Sequence, residues 1–531
     1  MQFVQNFPFF GIMLTLICAV VSSVLKGKGA RRLTCLMITA VTAMTAAVMV
    51  YTLKTGESYV YMMGHFPAPW GNEIRVGVLE TTMMMVFCFV ILFSFVGGMV
   101  PAIREIERSK YNIYCILVDL LFLALQALVY TNDLFTAYVF IEINTLAAAG
   151  LVMMRQKGRN LVAGVRYMIM NLLGSSLFLF GIVLLYTITG HLLMENIHDS
   201  VAALMQTQQY QVPLTIVVAM ITVGLSLKSA LYPFEKWLPG TYSNATPTVA
   251  AMLSSLVSKG YIFLLIKFYV RVIGFDVICD MGILDILFIL GMLGMVMGSV
   301  SAVRAKTTRL MIAYSSVAQI GYIFTAIGLR SEIGIICALW HSAAHAATKS
   351  MLFVSCAEMD DACGGTHLRK HLKGAFYHSP LLALAFSLGA INLVGIPLLS
   401  VFMTKVTLVQ AAILTRYVRS AVVDVMGEDS MRTARSKGMS LGRALRVHGL
   451  RNAALPVLTV TGVQLTSLVI GAVVIEQVFV LPGIGSMLLE SVSNRDLTAV
   501  QSIVMVLVVF TLVVNMVVDL LYQVLDPRIR R

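Results

Sequence analysis

Residues 212–229 read Val212-Pro-Leu-Thr-Ile-Val-Val-Ala-Met-Ile-Thr-Val-Gly224-Leu-Ser-Leu-Lys228-Ser229. A single charge closes an otherwise uncharged run, and about 20 mostly apolar residues suffice to cross the hydrocarbon core of a bilayer as a helix. The run therefore predicts a membrane span. A lysine within it is a functional candidate by default, because a charge placed at the bilayer centre costs ~3 kcal/mol even by the lower estimates.

The same template recurs along the chain and gives roughly fourteen runs. They fall near 7–25, 33–53, 78–102, 112–130, 133–154, 160–189, 212–231, 243–272, 281–303, 310–329, 333–357, 379–404, 454–480 and 499–525. The first is followed by further spans and has no small-residue cleavage site, so it reads as a retained helix. Of the 531 residues 58% are hydrophobic and 12% charged, against roughly 25% charged in a soluble protein. This excludes a water-soluble globular protein and predicts an all-α polytopic membrane protein that has the lipid bilayer itself as a partner.

The net charge of +13 comes from basic residues gathered in short loops: Lys26 to Arg32, Arg104 to Lys110, Arg155 to Arg159 and Arg304 to Arg309. Such loops mark the cytoplasmic face, not a nucleic-acid surface. Loops carrying Glu195 and Asp199, or Asp276 and Asp280, are poor in Lys and Arg, which places the N-terminus outside. The segment 416–452 is long, polar and basic, and by the same rule cytoplasmic. Alternation brings it to the wrong side, so one crossing is missing between about 379 and 415.

Five ionisable positions stand inside or at the ends of spans. Besides Lys228 they are Glu142 in Tyr138-Val-Phe-Ile-Glu142-Ile-Asn144, Lys259 in Ser254-Ser-Leu-Val-Ser-Lys259-Gly260, Lys349, and Lys405 at the end of Gly395-Ile-Pro397-Leu-Leu-Ser-Val-Phe-Met-Thr-Lys405. Desolvation disfavours a buried ammonium and a nearby carboxylate restores it, so such a pair can exchange protons. His341, His345 and Lys349 are four apart and share one helix face. Two histidines at that spacing also suit a metal, yet no carboxylate lies in the same turn, and a proton relay is the better reading. Lys267, Arg271 and Arg104 read as side chains that reach to the headgroups.

Pro233 and Pro247 flank the loop after Lys228, and Gly395-Ile-Pro397 interrupts the twelfth run. Interrupted helices at matching places in two halves point to a transport site, and Lys228-Ser-Ala-Leu and Lys349-Ser-Met-Leu echo one another as internal repeats do. Eight cysteines are scattered without a CxxC, so no disulfide framework is implied. Cys356, Cys363, His367 and His371 fit no zinc spacing. With no Walker A motif, dinucleotide fingerprint or iron–sulfur run, no cofactor, metal or catalytic site is expected. Gly291, Gly294 and Gly298 have helix-packing spacing.

On these residues the first 405 or so positions resemble the antiporter-like subunits of respiratory complex I, energy-converting hydrogenases and multisubunit sodium/proton antiporters. The motifs are Asp133-Leu-Phe-Thr-Ala-Tyr-Val-Phe-Ile-Glu142, Lys228-Ser-Ala-Leu-Tyr-Pro-Phe-Glu-Lys-Trp-Leu-Pro239, Ala245-Thr-Pro-Thr-Val, Arg309-Leu-Met-Ile-Ala-Tyr-Ser-Ser-Val-Ala-Gln319-Ile-Gly-Tyr322 and Lys349-Ser-Met-Leu-Phe. The resemblance implies two inverted five-helix repeats and a polar axis along the membrane midplane. It implies that Glu142 and Lys228 form an ion pair, that Lys259 is the central proton carrier, Lys349 the second-half lysine and Lys405 the exit residue. Gln319 stands where some members carry histidine.

Residues from about 408 to 531 resemble instead the C-terminal part of an ABC transporter permease of the dipeptide, oligopeptide and nickel type. The signature is Leu414-Thr-Arg416-Tyr-Val-Arg419-Ser, Arg432-Thr-Ala-Arg-Ser-Lys-Gly438, His448-Gly-Leu-Arg-Asn452, Glu476-Gln-Val-Phe479 with Leu481-Pro-Gly483, and Asp519-Leu-Leu-Tyr522 with Leu525-Asp-Pro-Arg528. It implies that 416–452 is a coupling loop for a separate ATPase subunit, with Ala434, Gly438 and Leu450 in the docking pattern. Arg432 and Thr433 depart from that pattern's leading Glu-Ala.

The expected organisation is an antiporter-like module, 1–405, followed by a partial type I permease module, 406–531, with the join near Thr407-Leu-Val-Gln-Ala-Ala412. Each module lacks helices of its family, so a chimeric reading frame accounts for the chain as well as a natural fusion does. The expected function is proton or cation/proton translocation within a multisubunit respiratory, hydrogenase or antiporter complex of the inner membrane, with the C-terminus cytoplasmic. The alternatives are a peptide or nickel permease driven by an ATPase, and a membrane scaffold whose buried charges are paired and inert.

Overall fold

A computed structural model describes residues 3–66, 71–206, 210–362, 377, 379–396, 399–426, 429–440, 484–494 and 496–525. Apolar runs become helices, because a helix satisfies its backbone polar groups internally where no water is available. In order these are α1 (Phe7–Val24), α2 (Gly27–Thr55), α3 (Val78–Gly97), α4 (Met99–Glu105), α5 (Tyr111–Tyr130), α6 (Leu134–Met153), α7 (Gly158–Thr189), α8 (Met194–Gln206), α9 (Gln211–Ser229) and α10 (Trp237–Asn244). There follow α11 (Pro247–Met252), α12 (Ser258–Lys267), α13 (Phe275–Asp280), α14 (Ile283–Arg304), α15 (Thr308–Ile327), α16 (Glu332–Ala362) and α17 (Pro380–Val394). Two short strands, β1 (Tyr59–Met62) and β2 (Glu73–Val76), pair antiparallel between α2 and α3, with Tyr59 opposite Val76.

Among the described residues ten helices are long and apolar enough to cross a membrane, and they are the first ten of the predicted runs. Their outer faces carry exposed Phe93, Ile289, Val296 and Val303. Apolar surface on that scale needs an apolar solvent, and lipid supplies it. The structure is an all-α polytopic membrane protein.

Three runs are not single helices. The third breaks at Gly98 into α3 and α4. The eighth holds α11 and α12, with π turns at Leu253–Val257 and Phe268–Ile273. The twelfth ends as α17 at Val394, turns at Gly395, and resumes as α18 (Ser400–Met426). Two helices therefore stand where the twelfth run was read as one. The eleventh run is the 31-residue α16; the thirteenth lies outside the described residues.

Small residues set the close crossing of α14 and α15. A Cβ on Gly298 would lie 2.5 Å from the Ala318 nitrogen, and one on Gly291 2.6 Å from that of Thr325. The spacing of Gly291, Gly294 and Gly298 is thus a packing stripe.

The chain divides into two compact units, Met1–Leu393 and Val394–Arg531. The second holds α18, α19 (Asp429–Ser436), α20 (Ile484–Ser493) and α21 (Leu497–Leu525). The polar segment expected as a loop from 416 begins as helix, since Arg416 and Arg419 lie within α18. Ala434 is buried on α19. Leu450 lies outside the described residues.

Gly438 closes α19. Its N–H donates to the Arg435 carbonyl at 3.0 Å and that of Met439 to the Ala434 carbonyl at 3.3 Å, a Schellman closure that needs a left-handed residue. Gly438 supplies it at φ 82°. Gly438→Ala is expected to weaken this closure by ~1 kcal/mol, read as roughly fivefold faster amide exchange at the end of α19 in the full-length chain.

Candidate proton-translocation site

Lys228 sits in the last turn of α9 and is fully buried. The helix stops there: the Ala230 N–H donates to the Leu227 carbonyl at 3.2 Å and that of Leu231 to the Ser226 carbonyl at 3.0 Å. This repeats the closure seen at Gly438, with alanine at φ 61° in the left-handed position. The Lys228 ammonium donates to Thr145 Oγ1 of α6 at 2.9 Å and lies 5.2 Å from the centre of the Tyr261 ring, a cation–π contact.

Glu142 lies one turn before Thr145 on α6, so both face the same way. Its carboxylate acts through space on Lys228 and on Tyr261. Its Oε1 is buried and has no hydrogen-bond partner among the described residues. Thr145, not Glu142, accepts the Lys228 hydrogen bond. The hydroxyls of Tyr261 and Tyr167 are buried and have no hydrogen-bond partner among the described residues, so Lys228 and Thr145 are the hydrogen-bonded pair of this buried group.

Lys259, in the first turn of α12, is fully buried. Its ammonium donates to the Ser254 carbonyl and, at 3.3 Å, to Ser258 Oγ. The π turn Leu253–Val257 breaks the regular backbone ladder just ahead of it, and insertions of this kind concentrate at functional sites.

The predicted face of α16 carries all three of its candidates, each buried. Lys349 donates to the Ile312 carbonyl at 2.7 Å and Ser315 Oγ at 2.5 Å, both on α15. His341 Nε2 is 2.9 Å from Gln319 Oε1, and its ring stacks on His345 with centres 6.4 Å apart. Gln319 is therefore part of this group.

His345 lies in the fields of Lys259, Lys349 and His341. Both its ring nitrogens are buried, without hydrogen-bond partners among the described residues. Lys349 is likewise in the field of Lys259. The fold thus brings Lys259, His345, Lys349 and His341 together. Lys405 belongs to the second unit, where it donates to the Val394 carbonyl at 3.2 Å.

Four charges held inside the fold, Asp119, Lys267, Arg271 and Glu80, were missed or misread. Asp119 on α5 is fully buried and accepts from Ser22 Oγ at 3.3 Å; its place in an apolar run was the available signal. Lys267 does not reach for headgroups, because its ammonium donates to the Val129 carbonyl at 3.0 Å and the Thr131 carbonyl at 2.7 Å, at the end of α5. Arg271 is turned inward and forms an ion pair with fully buried Glu80. Snorkelling and inward pairing look alike in sequence, since both put a cation near a helix end.

Two family profiles match the chain. Residues 131–427 match the membrane region of the NADH:quinone oxidoreductase/Mrp antiporter family, a stretch that runs from Glu142 on α6 to Lys405 on α18 and holds every candidate charge position between them. The chain belongs to that family. Residues 375–531 match the inner membrane component of binding-protein-dependent transport systems.

An Na(+)/H(+) antiporter protein of Alkalihalophilus pseudofirmus is 31% identical over 373 residues, covering 69% of this chain and 73% of that protein. The dipeptide transport system permease protein DppB of Haemophilus influenzae is 47% identical over 122 residues, which are 23% of this chain and 37% of the permease. This chain therefore spans about a third of the permease's length. A chain in the structure of the Mrp complex from Dietzia sp. DQ12-45-1b superposes with a TM-score of 0.67 at 25% identity, covering 78% of this chain and 75% of that one.

Proposed function

We propose that residues 1–405 of this antiporter-family chain move protons across the membrane as one subunit of a multisubunit complex. The carrying observation is the group formed by Lys259, His345, Lys349 and His341, four ionisable side chains buried within reach of one another's fields. Buried ionisable groups are costly to keep in an apolar bundle, and a scaffold has no use for four of them. A group that shares fewer protons than sites can pass a proton along α12 and α16. Lys228, hydrogen-bonded to Thr145 and in the field of Glu142, forms a further stage, and Lys405 is the exit residue that the family resemblance implies.

The charge pattern of the loops supports an external N-terminus and a cytoplasmic C-terminus. Residues 406–531 are a permease fragment joined at Thr407–Ala412, whose basic segment suits docking on an ATPase subunit. Without the permease's earlier helices it has no translocation path of its own, so the ATPase-driven importer is the weaker reading.

The permease reading has its own test. Deleting residues 432–452 from the full-length chain is expected to abolish any copurification of an ATPase subunit while leaving proton flux within about twofold of the parent. Loss of flux with retention of the ATPase would reverse the assignment of the two parts.

A further inference from the structure

The basic end of α7 holds a site that none of this transport chemistry uses. Arg159 and Arg166 are seven residues apart, hence on one face of α7, and both are exposed. Arg166 lies roughly 12 Å along the helix from its start at Gly158, among Val162, Val165 and Ile169, which face outward. Among the described residues neither arginine has a carboxylate partner; the nearby Glu105 is taken by Arg155 at 3.4 Å and Arg309 at 3.8 Å. An exposed arginine among outward-facing apolar side chains near a helix end favours an anionic partner.

A cavity of about 320 Å³ opens beside the two arginines, between α7 and α10, with Trp237 and Gly240 in its wall. A second of about 450 Å³, lined by Leu161, Val165 and Ile169, shares Val162 and Arg166 with the first. The two adjoin along Val162 and Arg166 and give a groove with Arg159 at its loop end, Arg166 midway and an apolar wall of Leu161, Val165 and Ile169. A Cβ on Gly240 would meet nothing within 4 Å, so the loop end is open space.

We propose that this groove binds an anionic phospholipid of the cytoplasmic leaflet, its phosphate between Arg159 and Arg166 and an acyl chain along Leu161, Val165 and Ile169. Charge and shape together select this occupant: a free phosphate leaves the apolar half empty, and a zwitterionic lipid forfeits the charge complementarity. The loop containing Arg155, Lys157 and Arg159 is on the side the charge rule assigns to the cytoplasm, where anionic lipids concentrate and basic pockets between helices hold their headgroups.

The test uses the full-length chain in its complex, extracted in mild detergent, stripped of lipid and titrated with phosphatidylglycerol while bound lipid is counted by native mass spectrometry. Arg159→Gln with Arg166→Gln is expected to weaken binding roughly tenfold or more, and the double lysine variant to stay within about threefold of the parent. Gly240→Leu is expected to lose the lipid with both arginines in place. Equal affinity in the glutamine variant and the parent would overturn the proposal. So would equal binding of phosphatidylcholine, displacement of the lipid by inorganic phosphate alone, or a photocrosslinker at position 162 that captures a neighbouring protein of the complex and no lipid.

Discussion

Replacing Arg271 by alanine is expected to lower the melting temperature of the purified chain by roughly 4 °C. Glu80 is fully buried and Arg271 is 18% exposed, so the pair is largely out of water. Glu80 Oε2 is already occupied by the Gly77 N–H at 3.1 Å, and the arginine answers the rest of the charge. Removing one partner of such a pair leaves an uncompensated charge and costs about 3–5 kcal/mol. Neutralising the carboxylate as well, in the Glu80→Gln, Arg271→Ala double variant, is expected to recover part of the loss. The exposed pair of Arg330 and Asp285 is the control, because pairs in water are worth under about 1 kcal/mol; Arg330→Ala should move the transition little. A small shift for Arg271→Ala would mean that water reaches Glu80 through the cavity of about 390 Å³ that Arg271 lines together with Arg75 and Glu195.

Replacing His345 by leucine is expected to cut proton flux through the assembled complex more than about tenfold while leaving the chain's abundance in the membrane unchanged. The substitution separates a relay from a scaffold. His345 lies in the fields of two lysines, with both ring nitrogens buried and without hydrogen-bond partners among the described residues. For packing alone, a leucine of similar volume in an apolar bundle is neutral or better. For proton transfer it removes a titratable group that lies in the fields of both Lys259 and Lys349, and a positioned acid–base group is worth on the order of 100-fold or more. Full flux in His345→Leu would make the α16 face a packing surface and return the scaffold reading to the front.

Much of this architecture was legible in the residues. The first ten apolar runs are the ten long apolar helices, since hydropathy and length are what a bilayer selects. The shared face of His341, His345 and Lys349 followed from a spacing of four, and their burial followed from the apolar residues around them. Lys228 and Lys259 stood out because charge in an apolar run is expensive.

What escaped was decided by partners distant in sequence. Lys267 and Arg271 lie near the end of an apolar run and could have turned either way; the carbonyls of Val129 and Thr131 and the carboxylate of Glu80 turned them inward. Asp119 was visible in its run but lay outside the family motifs, and its partner Ser22 is on α1. The π turns ahead of Lys259 and after Lys267 have no compositional mark. The division of the twelfth run was half legible: Gly395-Ile-Pro397 announced a break, and the loop charges asked for another crossing, but neither said where α18 would begin.

The central claim is that the buried lysine of α12 carries protons, and flux measures it most directly. The complex is purified through a tag on this chain, reconstituted into vesicles containing a pH indicator, and driven by a potassium diffusion potential. Flux above that of empty vesicles is expected in the parent and a fall to the empty-vesicle level in Lys259→Ala, with the substituted chain still present in the complex. Equal flux in parent and Lys259→Ala complexes would contradict that claim.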